Sequence, residues 1–267
     1  MGPIERAVDK FRLKRSRVYE ADPDQIVRDS RVAERAIKDH VGRWLFEVLQ
    51  NSDDAKASKV LIHIEEDTVY VGDNGRGLKP KAVDAISGTD FSDKNVGTIG
   101  RKGVGFKSVY ELSASPQVLT VNGEGVEFCR EKAENWLRHN RLNCGHVPYQ
   151  WIPFFVSWHE ARQNDPTLVK FADYKTVVRL PNIFPDQKQK IEKLLCEWPR
   201  HTLLAFLHVR ELRADPDLLV RISEGDRIWE MQGTERDAPL KWNIVKNREM
   251  APEVMSEVVG EEWRTIK

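Results

Sequence analysis

Three short segments, in a fixed order along the chain, constrain the fold more than any other feature of the sequence. They are Phe46–Ala55 (FEVLQNSDDA), Val71–Leu78 (VGDNGRGL) and Gly100–Ser108 (GRKGVGFKS). No one of them is decisive alone, because short helices, hairpin turns and glycine strings are common in unrelated proteins. Their order and separation predict a nucleotide site in which each segment has its own role.

The first segment is predicted to be an amphipathic helix. Its inward stripe consists of apolar residues at helical spacing: Trp44, Leu45, Val48 and Leu49. Glu47, Asn51 and Asp54 fall on one edge of that helix, beside the stripe. A carboxylate that polarises a water and an amide oxygen that ligates Mg²⁺ suit a hydrated metal–phosphate. The alternative is an ordinary helix with a solvated polar face, which the segment taken alone favours.

The second segment follows a predicted strand pair, because Val60–Val71 alternates apolar and polar residues around a polar turn. Asp73 then ends the second strand, where its carboxylate can accept a hydrogen bond from an exocyclic amine such as that of adenine. Gly75 and Gly77 permit positive φ and a close approach of the backbone to a flat ring. Leu78 can pack on that ring. The alternative is a plain Asn-Gly hairpin turn.

The third segment has the pattern G-x-x-G-x-G and leads into an apolar, helix-like stretch. A glycine loop at the start of a helix presents unpaired N–H groups and the positive end of the helix dipole to phosphates. Arg101, Lys102 and Lys107 add cationic donors. The spacing matches neither a Walker A motif nor a dinucleotide-binding fingerprint, so the segment by itself identifies no nucleotide class.

Together, E-x-x-x-N with a trailing D-D-A, D-x-G-x-G and G-x-x-G-x-G-F resemble the motifs of the GHKL ATPases. That superfamily includes gyrase, the heat-shock-ninety chaperones, histidine kinases and the MutL mismatch-repair ATPases. The sequence is more similar to the sacsin-like branch, whose helix resembles ELIQNADDA and whose glycine loop resembles IGxKGxGFKS followed by VYxLSDSP. This chain has EVLQNSDDA and IGRKGVGFKSVYELSASP. The resemblance covers roughly Arg35–Asn182, and a weaker similarity continues through Leu203–Arg213.

The resemblance implies an α/β fold, namely a two-layer α/β sandwich (the Bergerat ATP-binding fold) with a C-terminal β extension. Its mixed, mostly antiparallel sheet would be covered on one face by helices, with the nucleotide held on that side. Residues 1–185 are expected to form the ATP-binding domain with an N-terminal helical arm. Residues 186–267 are expected to form a long helix over 187–207, which Pro199 must kink or break, and a small β meander that extends the sheet or starts a following module. The Asp165-Pro166 connection is expected to be a loop.

The same resemblance assigns roles to individual residues. Glu47 would be the general base, Asn51 would ligate Mg²⁺, and Asp54 would support the pocket floor. Asp73 would bind the adenine amine, and Thr176 would complete the water network around the ring. The residues expected to contact the nucleotide are Asn51, Asp54, Asp73, Gly75, Gly77, Leu78, Gly100, Arg101, Lys102, Gly103, Val104, Gly105, Phe106, Lys107 and Thr176.

This sequence departs from the family pattern in four respects. Phe46 stands where close relatives often carry an arginine or another polar residue, and Ser52 replaces an alanine. Residues 79–99 are short for a nucleotide lid. The distal cation that chaperone relatives supply from a following domain is not identifiable, which bears on turnover and not on nucleotide binding.

The expected function is an ATPase: Mg²⁺-dependent binding of ATP or ADP, with slow hydrolysis that drives conformational change or dimerisation in a chaperone-like manner. Expected partners are a second copy of the chain in a nucleotide-dependent homodimer, downstream domains of a longer protein, and client proteins. One alternative is a nucleotide-binding structural or dimerisation module without significant turnover. Another is a phosphotransferase of the histidine-kinase type, for which His40 is the only candidate acceptor just upstream of the motif helix.

Composition excludes several other classes. Lys+Arg and Asp+Glu both number 42, so the formal net charge is zero and nothing electrostatic favours a nucleic-acid or membrane partner. No apolar run in the sequence is long enough for a spanning helix, and the N-terminus has no signal region. Cys129, Cys144 and Cys196 form no CxxC pair, which predicts a reducing compartment, the cytoplasm or the nucleus. His139, Cys144 and His146 fit no zinc template and are expected to lie in a surface loop.

Overall fold

A computed structural model describes residues 1–39, 42–88, 105–142, 145–198, 202–203, 206–214, 218–224, 228–235 and 238–245. Its strands are β1 (Lys59–Glu65), β2 (Thr68–Asp73), β3 (Gln117–Thr120), β4 (Glu124–Glu127), β5 (Phe154–Ser157), β6 (Thr176–Leu180), β7 (Glu211–Ala214), β8 (Leu218–Glu224), β9 (Ile228–Glu235) and β10 (Ala238–Val245). Its helices are α1 (Pro3–Ala21), α2 (Asp24–Asp39), α3 (Trp44–Asp54), α4 (Pro80–Ser87), α5 (Arg130–His139), α6 (Trp158–Asn164) and α7 (Lys188–Cys196). Short 3₁₀ helices span Gly105–Glu111, Tyr149–Trp151 and Pro166–Phe171. Among these helices none is both long and apolar enough to cross a membrane.

The strands form one sheet of mixed direction, in the order β10-β9-β8-β7-β1-β2-β6-β3-β4-β5. β7 runs parallel to β1, and the other neighbours are antiparallel. This confirms the predicted α/β sandwich with a mixed, mostly antiparallel sheet. The strands β7–β10 continue that sheet, so the C-terminal meander is an extension of it in the described residues. The division into two domains stays a prediction.

The alternating sequence of the central strands separates the two faces of the sheet. Val69 and Val71 of β2 belong to the larger core, which also holds α3 residues such as Leu49. Tyr70 points to the opposite face and belongs to a smaller core with Phe171. The helices of the N-terminal half therefore cover one face, and a second, smaller cover lies on the other.

That smaller cover was not predicted. The region around Asp165 was expected to be a loop, but it contains α6 and the 3₁₀ helix Pro166–Phe171. The Ser157 hydroxyl accepts the backbone N–H of Glu160, and the Asp165 carboxylate accepts that of Thr167. These two capping side chains start two short helices in succession. Their brevity explains why periodicity did not reveal them.

The helices α1 and α7 can each be compared with what the sequence predicts. The N-terminal helix α1 packs on the body as an ordinary helix, burying Ile4, Val8 and Phe11, and the Ile4 N–H donates to Glu124. The long helix predicted over 187–207 is wrong in extent, because α7 ends at Cys196. Pro199, at which a break or kink was expected, lies outside the described residues.

Candidate nucleotide-binding site

A row of polar side chains crosses three neighbouring strands. Asp73 of β2 lies opposite Thr176 of β6, and Thr176 lies opposite Thr120 of β3. Asp73 is in phase with Val71, and Thr176 with Val178, so the row faces the larger core and the helices. The structure therefore brings Asp73 and Thr176 together, and the roles of both at the adenine stay predictions.

Asp73 is a buried carboxylate with several donors around it. It is 6% exposed, and its Oδ1 accepts the backbone N–H of Gly75 at 2.8 Å. Burial raises its pKa to about 6, and hydrogen bonds from Gly75, Thr176 and Ser52 oppose that rise. Asp73 is therefore mainly ionised at neutral pH and can act as a hydrogen-bond acceptor for a ligand amine.

The turn after β2 is attached to the end of α3. The Arg76 N–H donates to the Ala55 carbonyl at 3.1 Å. At Gly75 a Cβ would lie 2.8 Å from that same carbonyl oxygen and 2.8 Å from Asp73 Oδ1. Only glycine fits this close approach without moving backbone, which explains the first glycine of the D-x-G-x-G motif.

Thr120 anchors the other end of the turn and was not predicted. Gly77 has φ +77°, a conformation that L side chains rarely adopt, and it brings the Leu78 N–H within 3.2 Å of Thr120 Oγ1. Leu78 is half-buried against the larger core. The sequence signal for Thr120 is weak, because it is simply the last residue of a short strand. Its relation to Thr176 depends on the register between β3 and β6.

The helix α3 forms as predicted, and its C-terminal end is bonded to this turn through Ala55. The side chain of Glu47 is 14% exposed, and its Oε1 lies 4.0 Å from Arg43 Nη2. Asn51 is exposed and Asp54 is half-buried. A half-buried carboxylate and an exposed amide one turn apart are suitable oxygen donors for a hydrated cation. The roles of Glu47, Asn51 and Asp54 stay predictions.

Most of the glycine-rich segment lies outside the described residues: Gly100, Arg101, Lys102, Gly103 and Val104. The described part begins at Gly105, where a 3₁₀ helix starts. Phe106 is 4% exposed, and its ring lies 6.2 Å from that of Tyr110 and 6.0 Å from that of Phe128. In this structure Phe106 is therefore a core residue at the end of the segment.

Lys107 is placed differently from the phosphate donor expected from the sequence. It is 2% exposed, and its Nζ donates to the carbonyl oxygens of Ile86 and Gln150, both at 2.6 Å. The ring centroid of Trp151 lies 5.0 Å from Nζ. Burial, with a smaller contribution from Arg15, lowers the pKa of Lys107 to about 7. Its ammonium therefore connects α4 to the 3₁₀ helix Tyr149–Trp151 inside the core, through one hydrogen bond to each.

The other candidate metal ligands in the sequence are His139, Cys144 and His146. His139 ends α5, His146 follows it, and Cys144 lies outside the described residues. In the described part of the chain, no group of three or more His, Cys, Asp or Glu residues is arranged to hold a metal ion. Cys129 and Cys196 are free thiols.

Residues 41–143 match a family model described as histidine kinase-, DNA gyrase B-, and HSP90-like ATPase. The matched segment contains α3, the turn after β2, the glycine-rich segment and β3. No curated protein matches the chain. The match does not distinguish the sacsin-like branch from the rest. The segment that carries the candidate site, Thr176 excepted, is thus similar to the GHKL ATPases, and this similarity supports an ATP-binding domain.

Proposed function

We propose that this chain binds Mg·ATP on the helical face of its sheet and hydrolyses it slowly. The observation that carries the proposal is the buried, largely ionised Asp73 beside Thr176, at the end of a turn fixed to α3. A buried carboxylate is favourable only if donors satisfy it, and an exocyclic amine adds a donor. The family match to an ATPase domain supports the same ligand class.

The adenine end of the ligand would be held by groups that are already organised. The Asp73 carboxylate would accept a hydrogen bond from the exocyclic amine of adenine. The hydroxyls of Thr176 and Thr120 would bind ring nitrogens directly or through water. Gly77 would let the backbone approach the ring, and Leu78 would pack on it. The clash that a Cβ would make at Gly75 shows how tightly this turn is built.

The phosphate end would be held by α3 and the glycine-rich segment. Asn51 would contribute an oxygen ligand to Mg²⁺, which when bound neutralises phosphate charge. Glu47 would orient the attacking water and accept its proton. Positioning and charge neutralisation would supply most of the rate, because phosphoryl transfer needs little covalent chemistry from the protein.

Two substitutions separate binding from turnover. Asp73→Asn should lower ATP affinity about tenfold or more, because an amide cannot replace a charged acceptor for the amine. Glu47→Ala should keep affinity and lose roughly 10²-fold to 10⁴-fold in hydrolysis, the usual contribution of a general base. Calorimetry measures the first effect, and release of radiolabelled phosphate measures the second.

A matched control is Glu65→Gln, which removes a 45% exposed carboxylate at the end of β1. It should change neither affinity nor rate. Unchanged ATP affinity in Asp73→Asn would contradict the adenine assignment, and full turnover in Glu47→Ala would contradict the assignment of the base.

A binding module without significant turnover is a second candidate, and the position of Lys107 favours it. Lys107 follows the glycines of the motif, but its ammonium is buried and donates to two backbone carbonyls. It therefore does not offset the charge of a phosphate. A single-turnover assay with radiolabelled ATP decides between the two functions. ADP formed at a rate above the uncatalysed reaction supports the ATPase, and stable bound ATP supports the binding module.

We also propose that nucleotide state sets contacts with a second copy of the chain, with further domains or with client proteins. The resemblance to heat-shock-ninety chaperones and to the sacsin-like branch supports this conformational output. The same resemblance, with the cysteine pattern, supports a cytoplasmic or nuclear location. Sedimentation with ADP and with a non-hydrolysable ATP analogue tests for nucleotide-dependent dimerisation.

A further inference from the structure

The helix α3 holds a buried carboxylate that the nucleotide site does not use. Asp53 is 7% exposed. Its two oxygens accept the backbone N–H groups of Leu207 at 3.1 Å, His208 at 2.5 Å and Val209 at 3.0 Å. Three consecutive amides on one carboxylate make a charge-assisted set that compensates for its burial. The donors lie more than 150 positions further along the chain.

A second contact lies two turns earlier on the same side of the helix. The ring of Phe46 lies 5.5 Å from that of Phe206. Phe46 and Asp53 are seven residues apart, so they project from one face of α3. Glu47 and Asn51 project from the neighbouring edge. The contact with Phe206 gives a physical reason for an aromatic residue at 46, where similar proteins often have a polar one.

The segment that Asp53 binds leads directly into β7. The backbone N–H groups of Arg210 and Glu211 donate to the Ser58 carbonyl at 2.8 and 3.0 Å, and β7 then pairs in parallel with β1. The Arg210 guanidinium donates to the carbonyls of Phe206 and Val209, each at 3.1 Å. The strand that begins the C-terminal extension therefore rests on α3 and on the connection from α3 to β1.

We infer that Asp53 is a positioning residue that ties the C-terminal strands β7–β10 to the helix carrying Glu47 and Asn51. A helix of 11 residues moves as a rigid unit. A shift of the edge that carries Glu47 and Asn51 therefore also shifts the edge that holds residues 206–209. Nucleotide occupancy and the packing of β7 thus depend on one another, and the dependence is reciprocal. The nucleotide half of this inference rests on the proposed function.

Hydrogen exchange in the full chain without nucleotide tests the anchoring. Asp53→Asn should make the amides of residues 207–209 exchange about tenfold faster or more, because the charged acceptor is lost. The control is Asp165→Asn. The Asp165 carboxylate is equally buried, at 7% exposed, and accepts hydrogen bonds from Tyr70 and Arg179 on the other face of the sheet. It should leave those amides unchanged. Unchanged exchange in Asp53→Asn overturns the anchoring.

If Asp53→Asn does not fold, Phe46→Leu gives the same readout. It removes the ring contact with Phe206 while keeping an apolar side chain of similar size. Exchange at residues 206–209 should again accelerate relative to the wild type and to Asp165→Asn. Exchange as slow as in the wild type would overturn the proposed connection between this face of α3 and residues 206–209.

Hydrogen exchange in the presence of saturating Mg·ATP tests the coupling between the nucleotide site and β7. The wild type should gain protection across residues 206–214, whereas Asp53→Asn should bind ATP about fivefold more weakly or worse and transmit little protection. Wild-type protein that binds ATP without any change at 206–214 overturns the coupling and leaves the proposed function intact. Wild-type protein that binds no adenine nucleotide overturns the proposed function and the coupling, while the exchange without nucleotide still decides the anchoring.

Discussion

Among single residues, Lys107 shows how burial changes the chemistry of a motif side chain. Its ammonium touches two carbonyls and the faces of Trp151, Tyr110 and Phe128. Hydrogen bonds and ring faces stabilise the cation, while the loss of water destabilises it and lowers its pKa. A lysine in this position makes the stability of the fold depend on pH.

Replacing Lys107 with Met should change that dependence. The folded pKa of about 7 is below the ordinary 10.5, so between these values the unfolded chain binds the proton and the folded chain does not. Stability of the wild type should therefore rise relative to Lys107→Met as pH increases above 7, by up to ~1.4 kcal/mol per pH unit. Urea unfolding at pH 7, 8 and 9 measures this difference.

The groups beside Lys107, which include Arg15 and Tyr110, remain in both proteins, so the comparison isolates the lysine. Lys193→Met is the control, since that side chain is 72% exposed and pairs with Glu197, which is also exposed. Parallel pH profiles for the wild type and Lys107→Met would contradict the depressed pKa.

Among the elements, the turn after β2 is the one whose shape the candidate site depends on most. It is bound to the end of α3 through Ala55 and to β3 through Thr120. Asn74 adds to this attachment, because its Oδ1 accepts the N–H groups of Ser58 and Lys59 at 2.8 and 2.9 Å. A substitution that moves this turn should therefore affect the helix and the ligand together.

Gly75→Ala is such a substitution. The added Cβ would lie 2.8 Å from a backbone oxygen and 2.9 Å from Ala55 Cβ, so the turn or α3 must shift. We expect a loss of about 1–3 kcal/mol in the free energy of unfolding, together with weaker ATP binding. Gly145→Ala is the control, because no atom of the described residues lies within 4 Å of its added Cβ. Wild-type affinity in Gly75→Ala would show that the turn does not shape the ligand site.

The elements also show where sequence patterns succeed and fail. α3 and the strands β1 and β2 follow from periodicity, because each is long enough for its apolar pattern to repeat. α6 and the neighbouring 3₁₀ helix have too few turns to show a period. The helix predicted over 187–207 was too long because an apolar stripe continued beyond the residues that pack as α7.

In the whole molecule, the sheet separates two cores with different neighbours. The larger core contains α3 and lies on the same face as Asp73 and Thr176. The smaller core contains Tyr70, Leu168 and Phe171 on the opposite face. Stability of the smaller core should therefore be separable from ligand affinity.

Phe171→Ala tests that separation. Phe171 is fully buried and its ring stacks on Tyr70 at 5.7 Å, so its removal should cost about 3–5 kcal/mol of unfolding free energy. ATP affinity of the folded protein should stay within about twofold, because the Phe171 ring packs against Gly72 on the face of the sheet opposite to the Asp73 side chain. Calorimetry below the melting transition and chemical denaturation measure the two quantities. A large loss of affinity in the folded variant would show that both faces act on the site.

The sequence by itself determined the α/β class, the helix that carries Glu47 and Asn51, and the strand that ends in Asp73. The helix and the strand follow from local periodicity, and the α/β class follows from the resemblance to the GHKL ATPases that the three motifs carry. Periodicity and motifs are both properties of short segments. Only the tertiary structure decided that Thr120 joins Thr176 and Asp73 in one row, that Lys107 points into the core, and that Asp53 holds the entry to β7. Strand register, burial and contacts between distant residues decide these features, because they depend on which segments pack together and local patterns do not encode that.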